Sequence, residues 1–168
     1  ITRIGSDTDL AEFIGQRIEK LDPKGKKLMQ AFALAGGKLT GNQIESISKD
    51  MLGLAMHTPE GQKVFSQLLL GGYISPDPNE EGTFTFQHEA MQQIAVNSFR
   101  DAEERNVIVR FLRTTFEKDP NTPADTTFSL LYSLAESDAA EVRQVSFWDN
   151  MAEASSASFK NAKDHNAI

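Results

Sequence analysis

Tyr73-Ile74-Ser75-Pro76-Asp77-Pro78-Asn79-Glu80-Glu81-Gly82-Thr83-Phe84-Thr85-Phe86 is the stretch on which the fold turns. Before it, apolar residues recur every three or four positions. Within it, Thr83 to Phe86 alternate polar and apolar with period two, the mark of a half-buried strand. Tyr73-Ile74 reads as a short partner strand, and the Pro, Asp, Asn and Gly between them are turn formers. Strand, turn, strand closes whatever the preceding helices begin.

Working back from the hairpin, Thr58-Pro59-Glu60 has the form of an N-cap followed by proline at the first helical position. The helix it opens carries Val64, Phe65, Leu68 and Leu69 and ends at Gly71-Gly72. Thr40-Gly41-Asn42-Gln43 is a capping box, with Thr reaching forward and Gln reaching back. It opens a helix with Ile44, Ile47, Met51 and Leu52. Asp22-Pro23 starts another, with Leu28, Met29, Phe32 and Leu34, which stops at Gly36-Gly37. A leading helix from about Asp9 to Leu21, capped by Asp7 or Thr8, carries Leu10, Phe13, Ile14, Ile18 and Leu21 on one face. Residues 23–87 therefore predict helix, helix, helix and hairpin, with Phe32, Ile44, Ile47, Phe65, Leu68 and Leu69 buried together. On that reading Phe65→Ala costs about 3–5 kcal/mol.

After the hairpin the helical period returns. One helix covers about His88–Phe99 and another follows the cap Asp101-Ala102-Glu103-Glu104, with Val107, Ile108, Phe111, Leu112 and Phe116. Thr122-Pro123 opens a further helix (Phe128, Leu131, Leu134) and Asp138 the last (Val142, Val145, Phe147, Trp148, Met151). The Ala-, Ser- and Lys-rich tail from Ala152, which contains His165, predicts a fraying end. The expected fold is mostly α: a winged helix of three helices plus a small β-hairpin wing, then a helical bundle or TPR-like hairpin. The expected divisions are a leading helix at 1–22, the winged helix at 23–100 and the helical hairpin at 101–168.

Charge argues against nucleic acid. The net charge is −7 over 168 residues. Residues 1–57 hold eight Lys and Arg against seven acids, 58–100 two against five, and 101–168 seven against twelve. Phosphate neutralisation by clustered cations supplies most nucleic-acid affinity, so a DNA-reading winged helix is disfavoured. No apolar run approaches the ~20 residues of a membrane span, and no basic start precedes an apolar segment. The absence of cysteine removes disulfides and thiolate metal sites and fits a cytoplasmic protein. Ile1 in place of Met suggests a fragment or a processed chain.

Asp9-Leu-Ala-Glu-Phe-Ile-Gly-Gln-Arg-Ile-Glu-Lys-Leu-Asp-Pro through Leu28-Met-Gln-Ala-Phe-Ala-Leu-Ala-Gly-Gly is similar to a stretch of large signalling ATPases. So are Leu68-Leu-Leu-Gly-Gly-Tyr-Ile and Phe84-Thr-Phe-Gln-His-Glu-Ala-Met-Gln-Gln-Ile-Ala. These are the STAND class, AAA-type ATPases fused to LuxR-type regulators or to class III nucleotide cyclases. The resemblance covers about residues 9–150 and implies a winged helix between a nucleotide-binding core and tetratricopeptide-like helices. It implies a non-catalytic regulatory arm whose partner is a nucleotide-binding domain of the same chain or of another protein. Through the resemblance, His88 is the candidate cofactor-binding residue, contacting the β-phosphate of ADP held by that domain. ADP or ATP is the cofactor of the larger assembly and none belongs to this stretch itself. A stand-alone protein-interaction adaptor is the alternative function.

Other motifs fail on chemistry. Gly37-Lys38 looks like part of a phosphate loop, but the first glycine of that loop would fall at Phe32 and its Ser or Thr at Leu39. Asp77, Asn79, Glu81 and Gly82 resemble a calcium loop whose twelfth residue would be His88 in place of Glu. His57, His88 and His165 form no metal-ligand pair. No Gly-x-Ser-x-Gly elbow is present. Glu80-Glu81 and Glu103-Glu104 read as solvated turn and first-turn acids. No catalytic residue and no metal ligand is therefore expected.

Overall fold

A computed structural model describes residues 7–120, 122–136 and 145–165, with side chains at 9–120, 122–136, 148–157, 159 and 160. The side chains of the proposed caps Asp7 and Thr8, the helix start at Asp138, Val142, and the side chains of Val145, Phe147 and His165 lie outside that description. The chain is mostly helical, with one small antiparallel sheet. It divides into two compact units, Ile1–Ala33 with Gly37–Phe99, and Leu34–Gly36 with Arg100–Ile168. No helix among the described residues is long and apolar enough to cross a membrane.

The first unit runs α1 (Asp7–Glu19), α2 (Pro23–Leu34), β1 (Lys38–Thr40), α3 (Gly41–Leu52), α4 (Pro59–Leu70), β2 (Ile74–Pro76), β3 (Thr83–Phe86) and α5 (Glu89–Asn97). Local chemistry sets most of these boundaries. The Thr40 hydroxyl accepts from the Gln43 N–H at 3.2 Å, and the Thr40 N–H donates to Gln43 Oε1 at 2.9 Å, completing the capping box. Thr58 caps α4 by accepting from the Gly61 N–H at 3.2 Å. Past the end of α2, Gly36 takes φ 96°, and the Gly37 N–H returns to the Phe32 carbonyl at 3.0 Å. This is the left-handed helix stop that glycine favours.

β1 was not expected. Its three residues are too few for a period-two signal, and only Leu39 is buried, at 1% exposure. β1 pairs with β3 (Leu39 opposite Phe84), and β3 pairs with β2 (Ser75 opposite Thr85), giving the order β1-β3-β2. Pro76 ends β2 on the sheet edge, where a missing N–H is tolerated. Lys38 fastens the hairpin tip. Its ammonium lies 2.9 Å from Asp77 Oδ2 and 2.6 Å from Glu80 Oε2. Asp77 also accepts from the Asn79 N–H at 2.8 Å. The residues that looked like a calcium loop are thus a salt-bridged turn, and Glu80 is paired to Lys38 and not merely solvated.

Hydrogen bonds that Lys38 donates to Glu80 and then to Asp77 hold its pKa above the ordinary value, and the Lys38 ammonium holds Asp77 below the usual aspartate value. Because the folded Asp77 pKa is the lower one, its stabilisation is present above the unfolded pKa and is lost as pH falls through the folded one. Lys38→Met should therefore speed amide exchange across 77–83 at neutral pH while barely moving the Tm. The wild-type turn should loosen in the same way only below the ordinary aspartate range.

The buried side chains of the first unit include Ile14 and Ile18 of α1, Phe32 of α2, Ile44 and Ile47 of α3, and Val64 and Leu68 of α4. Phe65 and Leu69 are only half-buried, which corrects the expected cluster. Gly61, Val64 and Leu68 form the inward line of α4, and Phe65 leans edge-on against Phe84 at 5.3 Å between ring centres. The apolar face expected of α1 is covered only in part, and Leu10 and Phe13 are its open members. They are 48% and 58% exposed and do not join Ile14 and Ile18 in the core.

In the second unit α6 (Ala102–Phe116), α7 (Ala124–Glu136) and α8 (Val145–His165) follow one another, with α7 packed against both α6 and α8. Asp101 caps α6 through the Glu104 N–H at 2.8 Å. Leu112, Phe116, Leu130, Leu131 and Leu134 are buried. The stretch from Ala152 expected to fray is helical to His165, with Ala154 buried at 7% exposure.

Candidate functional site

His88 is the hinge between β3 and α5. The turn from strand to helix begins at Gln87, whose N–H donates to the Tyr73 carbonyl at 3.0 Å. His88 then takes the extended N-cap conformation (φ −135°, ψ 134°), and its carbonyl accepts from the Met91 N–H at 2.9 Å. Its side chain makes no capping hydrogen bond and is exposed. The imidazole thus stands beside the unsatisfied N–H groups of a helix start without serving them, in surroundings that favour an anion.

His88 lines a groove of about 310 Å³ in the first unit, together with α1, the Gly71-Gly72 turn and Met91 of α5. Arg17 of α1 is the second polar element. Its guanidinium Nη2 donates to the Gly71 carbonyl, and its Cζ lies 5.0 Å from the centre of the Tyr73 ring and 5.8 Å from that of Phe13. The Tyr73 hydroxyl closes the arrangement by donating to the Arg17 carbonyl at 3.2 Å. Exposed Leu10 and Phe13 form the apolar rim, and buried Ile14 and Met91 the floor. Among the described residues no Asp or Glu lines the groove.

Sequence reasoning singled out His88 and missed Arg17, Leu10 and Phe13 as site residues. Leu10, Phe13 and Arg17 follow one another at i, i+3 and i+7, so a helical projection puts them on one line beside the Ile14–Ile18 line. An apolar arc wider than the core requires was the available signal.

His57 is exposed at the start of the turn before α4. Among the described residues no group of three or more His, Asp or Glu is placed to hold a metal ion. Lys38 and Leu39 of the apparent phosphate loop belong to β1, where Lys38 is engaged by two carboxylates. The second unit has a cleft of its own, about 440 Å³, over Phe116, Leu130, Leu131 and Ala154. Its rim carries Asn150, Glu153 and the Arg113–Glu117 ion pair at 2.9 Å. Comparison with protein-family models, with curated proteins and with solved structures gives no match for this chain.

Proposed function

We propose that this chain is a non-catalytic regulatory module of signal transduction, a winged helix with a helical hairpin, which docks on a nucleotide-binding ATPase domain and transmits its state. The helix–strand–helix–helix–strand–strand order of α2 to β3 and the β1-β3-β2 sheet support the winged-helix reading. The carrying observation is His88, exposed at the junction of wing and α5 with its side chain uncommitted to the cap. In this reading the imidazole meets the β-phosphate of ADP supplied by the neighbouring domain, of the same chain or of another protein.

A charge-assisted hydrogen bond of this kind is worth about 1.5–3 kcal/mol, enough to bias a two-state arm roughly ten- to hundredfold. His88→Ala in the assembled ATPase should therefore speed ADP release by about that factor and raise basal signalling. Because the side chain is exposed and caps nothing, the same change should leave the melting temperature of this chain unmoved. An unchanged ADP off-rate would refute the role, and loss of the fold would make His88 a structural residue.

The adaptor reading draws on one observation, the 440 Å³ cleft among α6, α7 and α8. The DNA-binding reading draws on none. Thr58–Gly72 offers Lys63 alone among cations, and the wing's Asp77 and Glu80 occupy Lys38.

A further inference from the structure

We infer that the α1–α5 groove seats an acidic amphipathic helix of the partner, with a large apolar side chain between Leu10 and Phe13 and a carboxylate on Arg17. This names the partner chemistry of the same groove, and so rests on reading it as a docking face. It does not depend on the phosphate contact at His88.

Three observations carry it. First, α1 has two apolar lines. Ile14 and Ile18 are 3% and 0% exposed, whereas Leu10 and Phe13 are 48% and 58% exposed over a floor that is already closed. Neighbouring apolar side chains left open beside a concavity mark an interaction site more often than isolated ones do. The 310 Å³ of the groove is at the small end of ligand sites, enough for one large side chain and too little for a second domain's core.

Second, Arg17 is a cation held in place by groups that carry no negative charge. The Gly71 carbonyl takes one N–H, and the Tyr73 and Phe13 rings flank the guanidinium. Among the described residues it makes no ion pair, although the chain carries a net charge of −7. A fork held in position loses little freedom on meeting a carboxylate, and arginine recognises that group through paired N–H donors.

Third, the complementarity is specific in sign. Among the described residues no carboxylate lines the groove, and its charged or chargeable members are Arg17 and His88. A helix with an apolar anchor and an Asp or Glu one turn away meets both halves of the site, in the manner of helix-in-groove recognition.

The smallest probe with both features is N-acetyl-L-phenylalanine, and its control is N-acetyl-L-phenylalaninamide, which lacks the carboxylate. Each is titrated into the 168-residue chain, labelled with ¹⁵N and free of nucleotide. The acid should shift the amides of Leu10 to Ile18 and of Gly71 and Gly72 with a Kd on the order of 1 mM, as suits about fifteen heavy atoms. The amide should bind at least roughly fivefold more weakly. Phe13→Ala should weaken both, and Arg17→Met should abolish the preference while the spectrum stays native.

Salt gives the same contrast in the unaltered chain. Raising NaCl from about 20 to about 500 mM should weaken the acid severalfold and leave the amide unchanged. Equal binding of acid and amide, equal salt response, shifts confined to the α6–α8 cleft, or no localised shift by about 20 mM would each overturn the inference. These outcomes are separable from the ADP experiment, which uses His88 and a nucleotide-loaded partner.

Discussion

Phe32→Ala should destabilise the first unit by about 3–5 kcal/mol, the range for emptying a fully buried phenylalanine site. Phe32 is 1% exposed in α2, and its ring meets Phe86 of β3 edge-on at 5.1 Å and 80°. Two losses combine. Removal of the ring forfeits its transfer free energy and leaves a cavity that close-packed neighbours cannot fill. It also strips Phe86 of an edge-to-face contact worth about 0.5–1.5 kcal/mol. Because this contact joins a helix to the sheet, the loss should appear as a lower urea midpoint with an unchanged slope.

Phe65→Ala supplies the contrast. The helical spacing of Val64, Phe65, Leu68 and Leu69 marks Phe65 as a core residue, yet it is half-buried against Phe84. Partial burial scales the transfer term down, so this substitution should cost about 1–2 kcal/mol. If both variants shifted the midpoint equally, α4 would be rotated from the position described here.

The contrast shows where sequence reasoning works and where it stops. The caps at Thr40, Thr58 and Asp101 were legible because each is a contact between residues three apart, and no tertiary information is needed to complete it. The hairpin was legible from its period and its turn formers. Helical periodicity identifies an apolar face but not its bearing to within one residue, so Val64 and Phe65 exchanged roles. Nor does it say whether an apolar line is covered, so one face of α1 holds both the buried Ile14 and Ile18 and the exposed Leu10 and Phe13. β1 was invisible because a strand of three residues exists only through its partner β3. At the candidate site, His88 was found from chain order and from resemblance. Arg17 was not, because what distinguishes it is a carbonyl 54 residues away at Gly71 and a ring 56 residues away at Tyr73.

Gly61→Ala and Gly25→Ala should move stability in opposite directions, although both glycines are buried in helices. By intrinsic propensity each change favours the helix by up to about 1 kcal/mol. At Gly25 of α2 nothing opposes that gain. A Cβ there would lie 3.6 Å from Val64 Cγ1, an ordinary contact, so stability should rise by about 0.5–1 kcal/mol. At Gly61 the Cβ would lie 2.2 Å from the Ala55 carbonyl oxygen and 2.9 Å from Met56 Cα. Those are backbone atoms and cannot swing aside as a side chain would. The Ala55 carbonyl is also engaged, accepting from the Thr58 hydroxyl at 2.6 Å and from the Thr58 N–H at 3.0 Å. Moving it away disturbs the residue that caps α4, and loss of a cap costs about 0.5–2 kcal/mol in addition to about 1–3 kcal/mol for overpacking. The clash outweighs the propensity gain, and Gly61→Ala should lose about 2–3 kcal/mol net. Thermal melts of the two variants against the unaltered chain decide the matter. A stabilised Gly61→Ala would mean that the 55–58 turn does not close over α4, whereas a destabilised Gly25→Ala would remove the packing of α2 on Val64.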